Sequence, residues 1–149
     1  MDENLKIKTV ASVFTKSEKE TEDFAKTFAK NLKKGDFIAL YGELGSGKTA
    51  FVRGLADVFC KGIRVSSPTY AIVNEYKGDP DIYHFDMYRI TDEEGLYSTG
   101  YYDYFEKGGV IAVEWSENIP FGLAEDRYEV KFEKLSENER KIIITKIIS

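Results

Sequence analysis

Gly42-Glu43-Leu44-Gly45-Ser46-Gly47-Lys48-Thr49 is the stretch that decides the fold expected for this chain. It fits the pattern G-x-x-x-x-G-K-[ST], the phosphate-binding loop of P-loop NTPases. Residues 37–41, just before it, form an apolar run typical of a buried strand, and apolar residues recur at helical spacing after it. A strand, a glycine-rich turn and a helix in that order are the context that the motif requires. Residues 42–49 are called the glycine-rich loop below.

The residue types of the glycine-rich loop suit phosphate chemistry. Glycines let backbone N–H groups approach a polyphosphate closely, and the helix that begins at the loop adds its positive dipole end. All eight residues of the loop are therefore candidates for binding a nucleotide. Lys48 is expected to contact the β- and γ-phosphates, and the Thr49 hydroxyl is expected to bind Mg²⁺. The alternative is a turn between a strand and a helix that binds nothing.

Length and composition fit one globular domain over residues 1–149. Of the 149 residues, 42% are hydrophobic and 32% are charged, which is ordinary for such a domain. The formal net charge of −5 argues against a dedicated nucleic-acid binder, although RNA held by a partner protein stays compatible with it. No apolar run reaches the ~18 residues of a membrane span, and the N-terminus lacks the pattern of a signal peptide.

The single cysteine, Cys60, excludes an intrachain disulfide. Together with the two absences above, this favours a cytoplasmic location. Cys60 follows Phe59 at the end of the helix after the loop, so we interpret it as a small buried hydrophobe.

Patterning along the rest of the chain predicts a mixed α/β domain. Ser17 and Glu20 form a capping box at the start of a first helix, and Gly35 suits the stop after it. Gly62 is expected to end the helix after the loop. Thr91 and Glu94 form a second capping box, which predicts a short helical region through residue 105.

Seven segments alternate or are continuously apolar in the way that strands do. They are residues 7–14, 37–41, 70–76, 81–88, 110–113, 127–132 and 141–148. Turn residues at 77–80 predict a hairpin between the third and fourth strands, and those at 136–139 predict a turn between the last two. We expect a single-domain P-loop NTPase fold with a mainly parallel central sheet, flanking helices and antiparallel edge strands.

Two predicted strands carry further candidates for chemistry. His84, Asp86 and Tyr88 share one face if they lie on a strand, and polar groups there are costly unless they serve a site. Asp86 could orient the attacking water or hold Mg²⁺ through a water, with His84 fixing Asp86 by a hydrogen bond. The alternative is a solvated hairpin face. Residues 110–114 are an apolar strand that ends in Glu114, a Walker B-like pattern, so Glu114 is a second candidate ligand for the metal.

Two other positions stay open from the residues alone. Thr69, in Ser66-Ser67-Pro68-Thr69-Tyr70, could contact Mg²⁺ and the γ-phosphate as switch segments do, or the stretch could be only a proline turn. Trp115, the only tryptophan, is either a packing residue at the rim of the crevice, a cover over the nucleotide site or a partner contact.

The order of these motifs resembles the TsaE (YjeE-type) family. The matching pieces are the glycine-rich loop, Phe51-Val52-Arg53-Gly54, Ser67-Pro68-Thr69-Tyr70, His84-Phe85-Asp86-Met87-Tyr88-Arg89, Asp103-Tyr104-Phe105 and Val113-Glu114-Trp115. With the first capping box they span most of the chain, and their combination is specific although each alone is weak. Ala50 departs from the family, which commonly has a second threonine there. The two C-terminal strands add nothing to the resemblance.

The resemblance implies Mg²⁺-dependent ATP hydrolysis that supports repeated turnover by a complex of two other proteins, TsaB and TsaD. That complex transfers a threonylcarbamoyl group to the adenosine next to the tRNA anticodon, so tRNA is involved only indirectly. Carried over to this chain, Lys48 holds phosphates, Thr49 and Glu114 bind Mg²⁺, and Asp86 assists hydrolysis. Thr69 becomes a switch-like element, and residues 17–21 lie near the adenine.

No arginine finger is evident in the sequence, although Arg53 and Arg89 are candidates, so low intrinsic turnover raised by partners is expected. A small-molecule P-loop kinase is one alternative, but it needs an acceptor pocket and an arginine-bearing lid. A GTP-driven switch is another, but the chain has no Asn-Lys-x-Asp guanine motif. These features favour an ATP hydrolase.

Overall fold

The computed structural model of the chain describes residues 5–68 and 72–149. The switch-like threonine, Thr69, and the start of the predicted third strand at Tyr70 and Ala71 lie outside the described residues. Within the described residues no helix is long and apolar enough to cross a membrane.

The described residues contain seven strands, in a single sheet. They are β1 (Lys6–Thr15), β2 (Phe37–Tyr41), β3 (Val73–Tyr76), β4 (Ile82–Asp86), β5 (Val110–Glu114), β6 (Arg127–Lys134) and β7 (Arg140–Ile148). Their order across the sheet is β1-β7-β6-β2-β5-β4-β3. The seven strands match the seven predicted segments. Their boundaries differ by at most two residues, apart from the start of β3, where the predicted segment begins outside the described residues.

The four inner strands β6, β2, β5 and β4 are mutually parallel, whereas β1, β7 and β3 pair antiparallel with their neighbours. The α/β class, the parallel centre and the antiparallel edges are therefore confirmed. The sheet as a whole is mixed, with three of the six strand pairs in the described part antiparallel. Short turns join β3 to β4 and β6 to β7, and strands joined by a short turn can pair only antiparallel.

Three α-helices accompany the sheet in the described residues: α1 (Glu18–Ala29), α2 (Lys48–Phe59) and α3 (Glu93–Tyr97). Three short 3₁₀ helices cover Tyr101–Glu106, Ser116–Asn118 and Pro120–Gly122. α1 and α2 pack closely on each other because Gly54 leaves no side chain between them. A Cβ at that position would meet the backbone of Glu22 in α1.

The sheet has a hydrophobic core on each face, as its alternation requires. Ile38 and Leu40 of β2 pack with α1 and α2 in one core, while Phe37 and Ala39 pack in the other with Leu96 of α3. β2 is almost fully buried because both of its faces are covered. Gly42, the residue after β2, therefore begins the glycine-rich loop directly after a closely packed strand.

The helix ends show four differences from the predicted pattern, and the first is that α1 ends at Ala29, well before Gly35. Ser17 Oγ accepts from the Glu20 N–H at 3.1 Å as expected, but the Glu20 carboxylate accepts from Lys16 N–H, not from that of Ser17. α3 is capped by Asp92, which accepts from Gly95 N–H at 2.7 Å, and not by Thr91. An aspartate oxygen caps a helix as well as a threonine hydroxyl does, so both residues were possible caps.

The fourth difference concerns the helix after the loop. α2 ends at Phe59, and Gly62 adopts a left-handed φ of 83° in the turn that follows. Cys60 is the C-terminal cap and is buried, which confirms its interpretation as a small buried hydrophobe.

Candidate functional site

The glycine-rich loop connects the end of β2 to the start of α2, at the carboxyl edge of the parallel strands. Gly42 and Gly47 both have positive φ, at 154° and 109°. A Cβ on Gly42 would lie 3.1 Å from the Cβ of Phe132, so a larger residue does not fit there. These positions require glycine for both backbone conformation and space. The predicted sequence of strand, turn and helix is confirmed.

A cavity of about 400 Å³ opens over this loop. The carboxyl ends of neighbouring parallel strands meet at the same edge, so β4 and β5 bring Asp86 and Glu114 to it. The cavity is lined by Leu44–Ala50 of the loop and α2, by Ser17, Glu18, Thr21 and Arg53 of α1 and α2, by Ser67, Asp86, Glu114 and Trp115, and by Glu137, Asn138 and Arg140. The residues predicted for the site therefore line a single cavity or its loop.

Thr49 and Glu114, the two predicted metal ligands, are in direct contact. Thr49 Oγ1 donates to Glu114 Oε2 at 2.9 Å, and the carboxylate is buried. The same oxygen lies 2.5 Å from His84 Nε2, and His84 Nδ1 lies 3.0 Å from the Tyr76 hydroxyl. A buried carboxylate held in this way has a defined orientation. The expectation that His84 fixes Asp86 is wrong, since the imidazole bonds to Glu114.

Asp86 lies beside Glu114 in the register of β4 and β5, and it points into the same cavity. Its carboxylate accepts from Ser67 Oγ at 3.1 Å and from Tyr88 N–H at 2.9 Å. The prediction that residues 84, 86 and 88 share a strand face holds for His84 and Asp86. It is wrong for Tyr88, because β4 ends at Asp86 and the tyrosine side chain is largely exposed.

Lys48 is the first residue of α2 and is only 4% exposed. Its ammonium donates to Gly42 O and lies 3.7 Å from the centroid of the Trp115 ring. Burial lowers the pKa of Lys48 below its usual range, and the nearby carboxylates of Glu114, Glu117 and Asp86 offset part of this effect. The lysine is therefore a buried cation whose contacts are a carbonyl and an aromatic face.

Trp115 covers Lys48 at the edge of the cavity. It follows β5 directly and has a φ of 59°, the one positive φ outside glycine among the described residues. Its ring also contacts that of Tyr88, with centroids 5.0 Å apart. A left-handed bulky residue is strained, and such strain is concentrated at functional sites. Of the roles left open for Trp115, the geometry favours a cover over the site.

The loop has features that fit a bound polyphosphate. Ser46 Oγ is buried and has no hydrogen-bond partner in residues 5–68 and 72–149. A buried hydroxyl without a partner is costly, and a phosphate oxygen would supply one. The Lys48 ammonium beside it would gain a negative partner in the same event.

The pair formed by Thr49 and Glu114 fits Mg²⁺, which prefers oxygen ligands. Within the described residues no cluster of three or more His, Cys, Asp and Glu side chains could hold a metal unaided. A bound Mg²⁺ ion typically takes few protein ligands and completes its shell with phosphate oxygens and water.

Sequence reasoning missed one wall of the cavity. Glu137 and Asn138 come from the turn between β6 and β7, and Arg140 is the first residue of β7. Its Nη2 donates to Gly45 O at 2.8 Å. Nothing in the local pattern at 136–140 signals this role, because only the position of β6 beside β2 brings the turn to the loop.

Of the two arginines that were candidates for an arginine finger, only one lines the cavity. Arg53 lines the cavity but is paired with Glu22 at 2.9 Å. Arg89 is absent from the described lining of the cavity.

Comparison with known proteins gives one consistent family. The family model described as "Threonylcarbamoyl adenosine biosynthesis protein TsaE" matches residues 15–142. The chain is similar to the tRNA threonylcarbamoyladenosine biosynthesis protein TsaE of Rickettsia typhi, with 43% identity over 87% of this chain and 91% of that protein. The protein of the same name from Bacillus subtilis is 37% identical over 89% of this chain and 84% of its own length.

A solved structure resembles the fold as well. The crystal structure of Bacillus subtilis YdiB superimposes with a TM-score of 0.76 and 32% sequence identity, over 97% of this chain and 88% of that one. The resemblance extends beyond the region covered by the family model, to nearly the whole chain.

Proposed function

The chain belongs to the TsaE family, and on that premise we propose that it is a Mg²⁺-dependent ATPase of the P-loop NTPase type. The proposed hydrolysis serves the biosynthesis of threonylcarbamoyladenosine in tRNA. The observation that carries the proposal is the contact between Thr49 and Glu114 beside a glycine-rich loop that encloses Lys48. In support of the proposal, two candidate metal ligands and a buried cation lie around one cavity, next to the backbone of the glycine-rich loop.

The residues of the loop have distinct roles in this proposal. Backbone N–H groups of residues 42–49 bind the phosphates, and the start of α2 adds its dipole. Lys48 turns from Gly42 O and Trp115 towards the β- and γ-phosphates, and Ser46 Oγ donates to a phosphate oxygen. Ser46 Oγ thereby gains a hydrogen-bond partner, and the Lys48 ammonium exchanges neutral partners for an anionic one.

Thr49 and Glu114 would hold Mg²⁺, which neutralises the charge that develops on the phosphates when it is bound. His84 orients the Glu114 carboxylate through a hydrogen bond of 2.5 Å. Asp86 is the candidate to accept a hydrogen bond from the attacking water, because its carboxylate is held by Ser67 and reaches the cavity.

Slow turnover by the isolated chain is part of the proposal. Arg53 is engaged by Glu22, so its charge is already compensated. Catalysis of phosphoryl transfer depends on positive charge at the transferred group, and partner proteins commonly supply it. We propose that TsaB and TsaD form the partner complex, that tRNA acts only through it, and that the protein works in the cytoplasm. The net charge of −5 agrees with an indirect relation to tRNA.

ATP hydrolysis tests this function most directly. The full chain is assayed with Mg²⁺ alone, and then with purified TsaB–TsaD complex and tRNA. We expect turnover below the ~1–100 s⁻¹ typical of kinases without partners, and a clear increase with them. Glu114→Gln should lose the activity, whereas Glu133→Gln, an exposed carboxylate of β6, should keep it.

Rapid hydrolysis by the isolated chain with no response to the complex would contradict the coupling. Failure of ATP and Mg²⁺ to bind at all would contradict the ATPase assignment itself.

A further inference from the structure

The hairpin of β6 and β7 contacts the glycine-rich loop at two separate places. The first is Phe132, whose ring packs beneath the loop. A Cβ on Gly47 would lie 3.7 Å from Phe132 Cδ2, and one on Gly42 would lie 3.1 Å from Phe132 Cβ. The phenylalanine ring also meets Phe51 of α2 edge-on, with centroids 5.8 Å apart. One side of the loop therefore rests on the hairpin.

The second contact is a hydrogen bond from Arg140, the first residue of β7. Its Nη2 donates to Gly45 O at 2.8 Å, across 95 residues of sequence. Its Nη1 lies within 3.0 Å of three carbonyl oxygens in the turn, those of Ser136, Glu137 and Glu139. The planar guanidinium thus bonds to the loop with one nitrogen and to the turn with the other.

The turn that Arg140 holds has hydrogen bonds of its own. Leu135 N–H donates to Glu139 O at 2.9 Å, and Glu139 N–H donates to Ser136 Oγ at 3.2 Å. Glu137 and Asn138, at its tip, line the cavity. A turn with internal hydrogen bonds can act as a fixed wall if its position relative to the loop is also fixed.

Arg140 differs from the other arginines near these elements in what it contacts. Arg53 pairs with Glu22 and Arg127 with Glu129, both carboxylates. The acceptors of Arg140 are neutral carbonyl groups of the backbone. Its hydrogen bonds therefore orient the Gly45 peptide and the turn while its positive charge stays available to a polyphosphate.

We propose that Arg140 is a positioning residue of the nucleotide site. It fastens the β6–β7 turn to Gly45, so that the loop and the opposite wall of the cavity are held in the geometry that receives the nucleotide. This inference rests on the proposed nucleotide-binding function, and it assigns to the C-terminal hairpin a part in that function. The guanidinium fork is essential to the role, because a single ammonium cannot bridge the loop and the turn in the same way.

Binding of ATP with Mg²⁺ to the full chain, measured by calorimetry, tests the proposal. Arg140→Gln and Arg140→Lys are both expected to raise the Kd for ATP about tenfold, since each breaks the bridge. Arg127→Gln is the matched control, because it removes an arginine from the other end of the same hairpin. It should bind ATP within about twofold of the wild type.

A residue that only stabilised the hairpin would lower the melting temperature and leave the Kd unchanged at a temperature where every variant is folded. Wild-type affinity in Arg140→Lys would overturn the proposal, because charge alone would then suffice. If wild-type protein binds no ATP, the proposed function fails. If the wild type binds and both Arg140 variants bind equally well, only the role of Arg140 fails.

Hydrogen exchange of the wild-type protein provides a test that is independent of how the variants fold. We expect ATP with Mg²⁺ to slow the exchange of amides in residues 135–139 together with those of the loop. Protection of the loop without any change in the turn would overturn the proposal.

Discussion

The ammonium of Lys48 lies 3.7 Å from the centroid of the Trp115 ring, inside a loop that also supplies Gly42 O as its acceptor. In this position Trp115 has a left-handed backbone conformation, which is strained for a bulky residue. Without nucleotide, the lysine ammonium therefore lies on an aromatic face. In the proposed function it moves from there to a phosphate. This relationship couples the only tryptophan of the chain to the charge that we expect to bind nucleotide.

Trp115 should report nucleotide binding by its fluorescence. When ATP with Mg²⁺ draws the Lys48 ammonium away from the indole, the emission of the tryptophan should change in a saturable manner. Titration of the full chain with ATP measures this, and Lys48→Met serves as the control that should stay flat. Calorimetric binding of ATP without any change in emission would contradict the movement of Lys48.

Lys48→Met should abolish ATP binding and still leave a folded protein. A buried cation without a carboxylate partner is costly, so an apolar side chain of similar length is expected to raise the free energy of unfolding by on the order of 1 kcal/mol. Urea denaturation of the wild type and of Lys48→Met, both without nucleotide, measures the sign of the change in the free energy of unfolding. A marked loss of stability in the variant would show that the contacts with Gly42 and Trp115 outweigh the cost of burial.

The stability difference between these two proteins should depend on pH in a defined direction. Because folding lowers the pKa of Lys48, the folded state binds fewer protons than the unfolded state between the lowered value and the usual 10.5. The wild type therefore gains stability relative to Lys48→Met as the pH rises through that window. Below the window the difference should be constant. Denaturation series at several alkaline pH values measure this, and a trend of opposite sign would contradict the cited cause.

Glu114→Gln should weaken the dependence on Mg²⁺ more than it weakens the fold. The amide keeps the shape of the side chain and can still accept from Thr49, but it lacks the charge that binds a divalent cation. We expect the half-saturating concentration of Mg²⁺ for ATP binding to rise at least about tenfold. An unchanged metal titration would remove Glu114 from the proposed metal site.

His84→Ala should also reduce the affinity for Mg²⁺, by about 10- to 100-fold, because it frees the Glu114 carboxylate to rotate. Tyr76→Phe removes only the hydroxyl that contacts His84 Nδ1 and should have a smaller effect. Comparing the two variants by Mg²⁺ titration, at a temperature where both are folded, separates orientation from packing. If the two variants weakened Mg²⁺ binding equally, this would contradict the idea that His84 orients Glu114 directly and Tyr76 acts only through His84.

Cys60 should be unreactive in the folded protein. Burial raises the pKa of its thiol to about 11, so little thiolate is present at pH 8. A thiol-specific disulfide reagent should react slowly with native protein and quickly in denaturant. Fast reaction under native conditions would mean that the turn after α2 opens readily.

Much of the fold could be predicted because its signals are local. The apolar run at 37–41, the glycines of the loop and the helical spacing after it each act within a few residues, and the structure confirms all three. Cap positions were less certain, since Thr91 and Asp92 offer equivalent oxygens and the backbone selects between them. No local pattern specifies that β1 pairs with β7, because the two strands lie at opposite ends of the chain.

The amino-acid sequence by itself determined the glycine-rich loop, the two strands that carry Asp86 and Glu114, and the resemblance to a family. It could do so because those features depend on residue type at short spacing. Only the tertiary structure decided that His84 orients Glu114, that Trp115 covers Lys48, and that Arg140 reaches Gly45. These contacts join residues far apart in the chain, and the order of strands in the sheet is what brings them into contact.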